Sequence, residues 1–180
     1  MKLEFGMEEL QMKKGITRRE LEVTDLNEIK RILNTSKVVH VAMVDDGKPY
    51  MVPMNYGYTL EDGKLTFYLH GATKGRKLDV MKKNPDVFVE VECDLMPFAG
   101  EVACQYGMAY ASLMGEGKAT IVEEVEEKMQ ALSILMKSQT GQEFTFNERL
   151  VSIVSVIRID VEEFTAKKRE IPPMATSQAQ

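Results

Sequence analysis

The run Val38-Val39-His40-Val41-Ala42-Met43-Val44-Asp45-Asp46-Gly47-Lys48 reads as a strand entering a tight turn. Its first residues are mostly β-branched and compact, and Asp46-Gly47 supplies the positive-φ pair that a two-residue hairpin needs. A second strand from Tyr50 to Tyr58 then returns along the first. Further on, Leu60-Glu61-Asp62-Gly63-Lys64 repeats the turn chemistry. Leu65, Phe67 and Leu69 then alternate with Thr66, Tyr68 and His70, as a half-buried strand would. These three segments make an antiparallel meander. On the upstream side, Thr24 or Asp25 caps a short helix whose apolar positions Leu26, Ile29 and Leu33 share one face, with Asn34 as its stop.

Downstream, Lys77 to Asn84 reads as a short helix ended by Pro85, and Val87 to Cys93 as another strand. Asp94 to Met108, with Pro97, Gly100 and Gly107, reads as a long loop. Tyr110 to Val122 returns to strand, with a bulge at Gly115-Glu116-Gly117. Val125, Met129, Leu132 and Met136 mark an acidic-led helix closing near Gly141, and a last strand runs from Val151 to Val161. Many hairpin-linked strands with few flanking helices predict a mainly β fold, a closed or partly closed antiparallel barrel, and disfavour a doubly wound sheet. The expected division is an N-terminal extension over 1–17, one folded domain over 18–168 and a flexible tail over 169–180.

The chain has 180 residues, 44% of them hydrophobic and 28% charged, with a formal net charge of −5. That is an ordinary globular composition for one domain. The acidic balance excludes general attraction to nucleic acid, so any bound phosphate must be met locally. The N-terminal residues mix charge with scattered apolar groups, and no uninterrupted apolar run approaches the ~18–20 residues of a membrane span. A cytoplasmic protein with no membrane contact is expected. Cys93 and Cys104 lack the paired spacing of zinc or redox sites and read as free thiols.

The segment with chemistry is His70-Gly71-Ala72-Thr73-Lys74-Gly75-Arg76-Lys77, between a strand end and a helix start. Small residues admit a ligand close to the backbone, the helix start offers free N–H groups and a positive dipole, and Lys74, Arg76 and Lys77 add charge. This is the sequence form of an anion cradle, although a plain turn with solvated cations would read the same way. Gly71 to Gly75 is one residue short of a P-loop, and Gly115-Glu116-Gly117 lacks the third glycine of a dinucleotide fingerprint. No G-x-S-x-G is present to support serine hydrolysis. His40, in an apolar strand, reads as a core or interface histidine.

Tyr50-Met51-Val52-Pro53-Met54-Asn55-Tyr56-Gly57-Tyr58 and Tyr68 through Asp79 resemble the second strand and the strand-loop-helix signature of the pyridoxamine phosphate oxidase-like FMN-binding split barrels. Within them, the likeness is to the nitroimidazole-resistance (Nim-type) flavoproteins. Tyr110 to Gly117 and Val156 to Glu162 match more loosely. The resemblance implies a split β-barrel homodimer with FMN at the subunit interface. Val52, Pro53, Met54 and Asn55 would flank the ring, and Gly71, Ala72, Lys74, Gly75, Arg76 and Lys77 would hold the phosphate. Lys77 would make the direct contact, and Arg76 would point to solvent or to the partner. Ser112 would approach from an opposing strand or subunit. His70 is the catalytic candidate, bonding the flavin or a bound acceptor. An FMN-dependent oxidoreductase reducing a small electron acceptor, such as a nitroaromatic, is the expected activity. The alternatives are a non-catalytic flavin or heme binder and pyridoxamine phosphate oxidation itself.

Overall fold

A computed structural model of the chain describes residues 18–173 and 175–177, and the expected extension over 1–17 lies outside them. After a 3-10 turn at Arg19–Leu21 come α1 (Leu26–Thr35), β1 (Val38–Asp45), β2 (Lys48–Glu61), β3 (Lys64–Gly71) and α2 (Arg76–Lys83). β4 (Asp86–Ala99), β5 (Gly107–Val122), α3 (Val125–Thr140), α4 (Glu148–Ser152), β6 (Ser155–Arg169) and β7 (Thr176–Ser177) follow. The sheet order is β1-β2-β3-β6-β5-β4-β7, and β1 also pairs with β4, so six antiparallel strands close into a ring. This is a split β-barrel with flanking helices.

Local chemistry accounts for the hairpins. Asp46 and Gly47 have φ 49 and 79, and Asp62 and Gly63 have φ 49 and 75, the doubly positive turn that matches strand twist. Asp25 caps α1 by accepting from the Asn27 amide at 3.0 Å. Alternating residues point inward: Val39, Val41, Phe67, Leu69, Val89, Leu113 and Ile159 fill the barrel, with Ile29 and Leu33 of α1 and Leu78 and Met81 of α2 closing it. A smaller cluster of Val122, Leu132, Val151 and Val156 lies beneath α3. Each such side chain contributes roughly 1.5–3 kcal/mol, against ~0–1 for an exposed ion pair, so burial dominates the stability.

Two expectations need correction. The loop expected over Asp94 to Met108 is mostly strand: after a bulge between Cys93 and Met96, Met96, Pro97 and Phe98 pair with Ala109, Met108 and Gly107. Asp94 takes φ 59 at the bulge. Phe98 is buried and drives the continuation. Pro97, which has no N–H to give the ladder, stands directly after the bulge, where pairing resumes. The last strand begins at Ser155 and runs to Arg169, while Val151 lies in α4, capped by Asn147. An apolar run of that length fits either state. The expected bulge at Gly117 is present, where a Cβ would stand 2.5 Å from the Asp160 carbonyl oxygen. Within the tail, β7 pairs with Phe98 and Ala99.

Candidate functional site

The barrel splits along β2. This strand pairs with β1 as far as Asn55, opposite Val38, and with β3 only from Tyr56, opposite Leu69. Beyond that point β3 ends at Gly71 and its chain leaves the sheet. The edge of β2 over residues 48–55 that faces away from β1 therefore carries no strand among the described residues, and because Pro49 and Pro53 have no N–H it is richer in acceptors than in donors. Pro53 and Asn55 lie on the outer face of this segment, and Val52 and Met54 pack toward the core.

The loop over residues 72–75 joins the split to α2. Gly75 takes φ 143 at the N-cap with no side-chain cap. The Leu78 and Asp79 amides bond to the Gly75 carbonyl at 3.0 and 3.2 Å, so the helix starts cleanly and its earlier amides face outward. Lys77 folds back over the loop: a Cβ on Gly71 would meet its Cε and Nζ at 3.1 Å and the Met54 Cε at 3.9 Å. Gly71, Met54 and Lys77 thus meet at the split. Ala72, Lys74 and Gly75 are exposed along the loop.

Arg76 is committed elsewhere. Its Nε donates to Asp45 Oδ2 at 2.8 Å, and its guanidinium sits 4.2 Å from the Tyr50 ring centroid. The cations left at the cradle are Lys74 and Lys77. His70 is exposed at the end of β3, opposite Val156 of β6. Ser112 is buried on β5, opposite Lys167 of β6. Because Gly71 pairs with Ser155 at the other end of β6, Ser112 and the cradle are at opposite ends of that strand within one chain.

Around the split, backbone and amide groups hold Asn55. Its Nδ2 donates to the Lys37 carbonyl at 3.2 Å and to Gln139 Oε1 at 3.3 Å. The neighbouring Tyr56 hydroxyl donates to the Leu33 carbonyl at 2.7 Å, and burial pushes its phenol far above the usual range. Pro53 pairs with His40, whose Nδ1 lies 3.0 Å from Glu90 Oε2. Burial raises the Glu90 carboxyl, and the His40 hydrogen bond opposes that rise. Sequence reasoning missed Gln139 and the Asp45 and Tyr50 partners of Arg76. A glutamine in the last turn of a helix carries no motif, and the Arg76 contacts depend on how the first hairpin folds over α2.

A family model for pyridoxamine 5'-phosphate oxidase matches residues 25–168, spanning both the open edge of β2 and the cradle. The chain belongs to the pyridoxamine 5'-phosphate oxidase family. Among solved structures of this fold, a candidate 5-nitroimidazole antibiotic resistance protein from Bacteroides thetaiotaomicron VPI-5482 is 31% identical. The match covers 82% of this chain and 86% of that one, with a TM-score of 0.70. The FAD and heme binding protein from Mycobacterium smegmatis is 17% identical over 83% of this chain and 73% of its own, TM-score 0.70. The flavocytochrome Anf3 from Azotobacter vinelandii is 18% identical over 92% and 75%, TM-score 0.71. The last two share the fold with this pyridoxamine 5'-phosphate oxidase family member. No curated protein matches the chain. Among the described residues, no helix is long and apolar enough to cross a membrane.

Proposed function

We propose that this chain is a cytoplasmic flavoprotein that binds FMN at the split of a homodimer and reduces a small electron acceptor. The observation that carries the reading is the meeting of an unpaired β2 edge with an uncapped helix start and a lysine folded over Gly71. A phosphate fits the amides and dipole at the start of α2, with Lys77 and Lys74 supplying charge. A flat ring with donors and acceptors along one rim fits the open backbone edge beside Pro53 and Asn55. When bound, the flavin supplies the electron transfer, and the chain supplies placement and exclusion of competing reactions. His70, exposed beside the cradle, is the group offered to a bound acceptor. A nitroaromatic is the first acceptor class to test, given the 31% identical resistance protein.

The dimer has its own support. Val38, Val44, Met51, Phe88 and Met114 are all exposed on the outer face of the barrel wall, an apolar surface suited to a second copy. Ser112, remote from the cradle within one chain, would then reach a site only through the partner. Sedimentation of the purified protein tests this, and a monomer at micromolar concentration would remove it.

The deciding experiment is an absorbance spectrum of purified protein, with identification of any chromophore released by heat and titration with FMN for wild type and Lys77→Ala. Flavin bands, released FMN and weaker binding by the variant are the expected results. Because the M. smegmatis protein of this fold binds FAD and heme, a Soret band or released FAD would favour that second reading. Oxidation of reduced nicotinamide with an acceptor separates an enzyme from a carrier. Pyridoxal phosphate formation would instead assign pyridoxamine phosphate oxidation, a weaker reading because the sequence has one concentrated basic loop for two phosphates.

A further inference from the structure

The last turn of α3 reaches the split. A Cβ on Gly57 would stand 2.4 Å from the Leu135 Cα, so bare backbone lets α3 lie directly on the outer face of β2. Gln139 follows Leu135 by one helical turn, and Asn55 lies two residues from Gly57 on the same strand face. A helical turn advances about 5.4 Å and two strand residues about 6.7 Å, so the two amides come level.

Their orientation is fixed by the backbone. Gln139 Nε2 donates to the Tyr56 carbonyl at 2.7 Å and to the Lys37 carbonyl at 3.1 Å. Carbonyl oxygens only accept, so the amide nitrogen must face them and Oε1 is left to receive Asn55 Nδ2. Asn55 Nδ2 also donates to the Lys37 carbonyl, which occupies both of its N–H groups. Flipping Asn55 would set its oxygen against two acceptors. Lys37 Nζ stitches the same helix end by donating to the Ser138 carbonyl at 2.8 Å. Asn55 Oδ1 accepts from no described residue, and Asn55 is exposed at the mouth of the split.

We propose that Gln139 is a positioning residue that turns the Asn55 carbonyl oxygen outward, where it accepts a hydrogen bond from an N–H or O–H group of the bound ligand. The inference rests on the flavin reading, in which the donors are the ring imide and the ribityl hydroxyls. It makes Asn55 selective for a ligand donor at this point, since a ligand acceptor there would face oxygen.

The test uses the full-length protein. The Asn55 side-chain amide resonances are compared in wild type and Gln139→Met, and FMN dissociation constants are measured for wild type, Asn55→Ala, Gln139→Met and the double variant. Gln139→Met should shift the Asn55 amide pair, and each single substitution should weaken FMN about five- to tenfold, the loss of one hydrogen bond. The double variant should bind no worse than Asn55→Ala alone. Gln139→Lys supplies a second probe, because its ammonium still donates to the two carbonyls but repels Asn55 Nδ2. It too should weaken FMN. An unshifted Asn55 pair, or losses that multiply in the double variant, would overturn the proposal. An Asn55 pair that shifts in Gln139→Met, together with a wild-type protein that takes up no FMN, would overturn the ligand contact and the flavin reading while supporting the amide positioning.

Discussion

Lys77 occupies the space a side chain on Gly71 would enter, with its Cε and Nζ both 3.1 Å from where that Cβ would stand. Gly71→Ala should therefore make the end of the lysine give by a few tenths of an ångström at the cradle without disturbing the fold, since the crowded group is the end of a flexible chain. FMN affinity should drop several-fold and folding stability change by less than ~1 kcal/mol. Titration and thermal melting of the variant check both halves. Unchanged affinity would mean that Lys77 reaches the phosphate from another position.

Arg76 should matter less to the ligand than its neighbour. Arg76→Ala removes an exposed ion pair with Asp45, about 0.2–1 kcal/mol, and a cation–π contact with Tyr50 of about the same size. Its effect on the FMN dissociation constant should be smaller than that of Lys77→Ala. Equal effects in a side-by-side titration would show that Arg76 leaves Asp45 when ligand binds.

Gly57 is a steric requirement. A Cβ there would lie 2.5 Å from the Leu135 amide nitrogen and 2.7 Å from the Ile134 carbonyl carbon, and backbone atoms cannot rotate aside. Gly57→Ala should cost about 1–3 kcal/mol by lifting α3 from β2. Denaturant unfolding measures it, and a loss below about 0.5 kcal/mol would place α3 further from the strand.

The His40–Glu90 pair gives a pH dependence of known sign. Burial holds the Glu90 carboxyl above its ordinary value of 4.5, so the folded chain keeps that proton longer than the unfolded chain. The associated stability is fully present below pH 4.5 and is lost as pH rises through the folded value. Wild type should thus lose stability relative to Glu90→Gln as pH rises from 4.5 through the raised folded value of the Glu90 carboxyl. Urea midpoints for the two proteins report the difference, and a gap that stays constant with pH would contradict it.

The parts of the fold written in local chemistry were legible. Asp46-Gly47 and Asp62-Gly63 name their own turns, and the alternation of Leu65, Phe67 and Leu69 names its own face. Where a local rule is overridden by packing, the reading erred. Pro97 and Gly100 look like loop punctuation, yet the buried Phe98 between them keeps β4 going past the bulge. Val151 looks like strand but is drawn into the cluster beneath α3 as part of α4. For the site, the loop over residues 70–77 announces itself by composition. The separation of Lys77 from Arg76, adjacent in sequence and turned to different partners, depends on where Asp45 and Met54 come to rest. Those positions are set by long-range pairing.

The ring is closed by a single short ladder, His40 to Ala42 against Phe88 to Glu90, while β5 and β6 pair from Tyr110–Arg169 to Val122–Val156. The barrel is thus a rolled sheet held shut by a latch. Few backbone bonds secure it, but Val41 and Val89 are fully buried behind it, so opening wets two core side chains. Native-state amide exchange should find this latch releasing before the β5–β6 wall, as a sub-global event in which the sheet uncurls yet stays paired. Since His40 also pairs with Pro53, the same release would loosen the wall behind the split, coupling breathing of the barrel to the entry of whatever it binds.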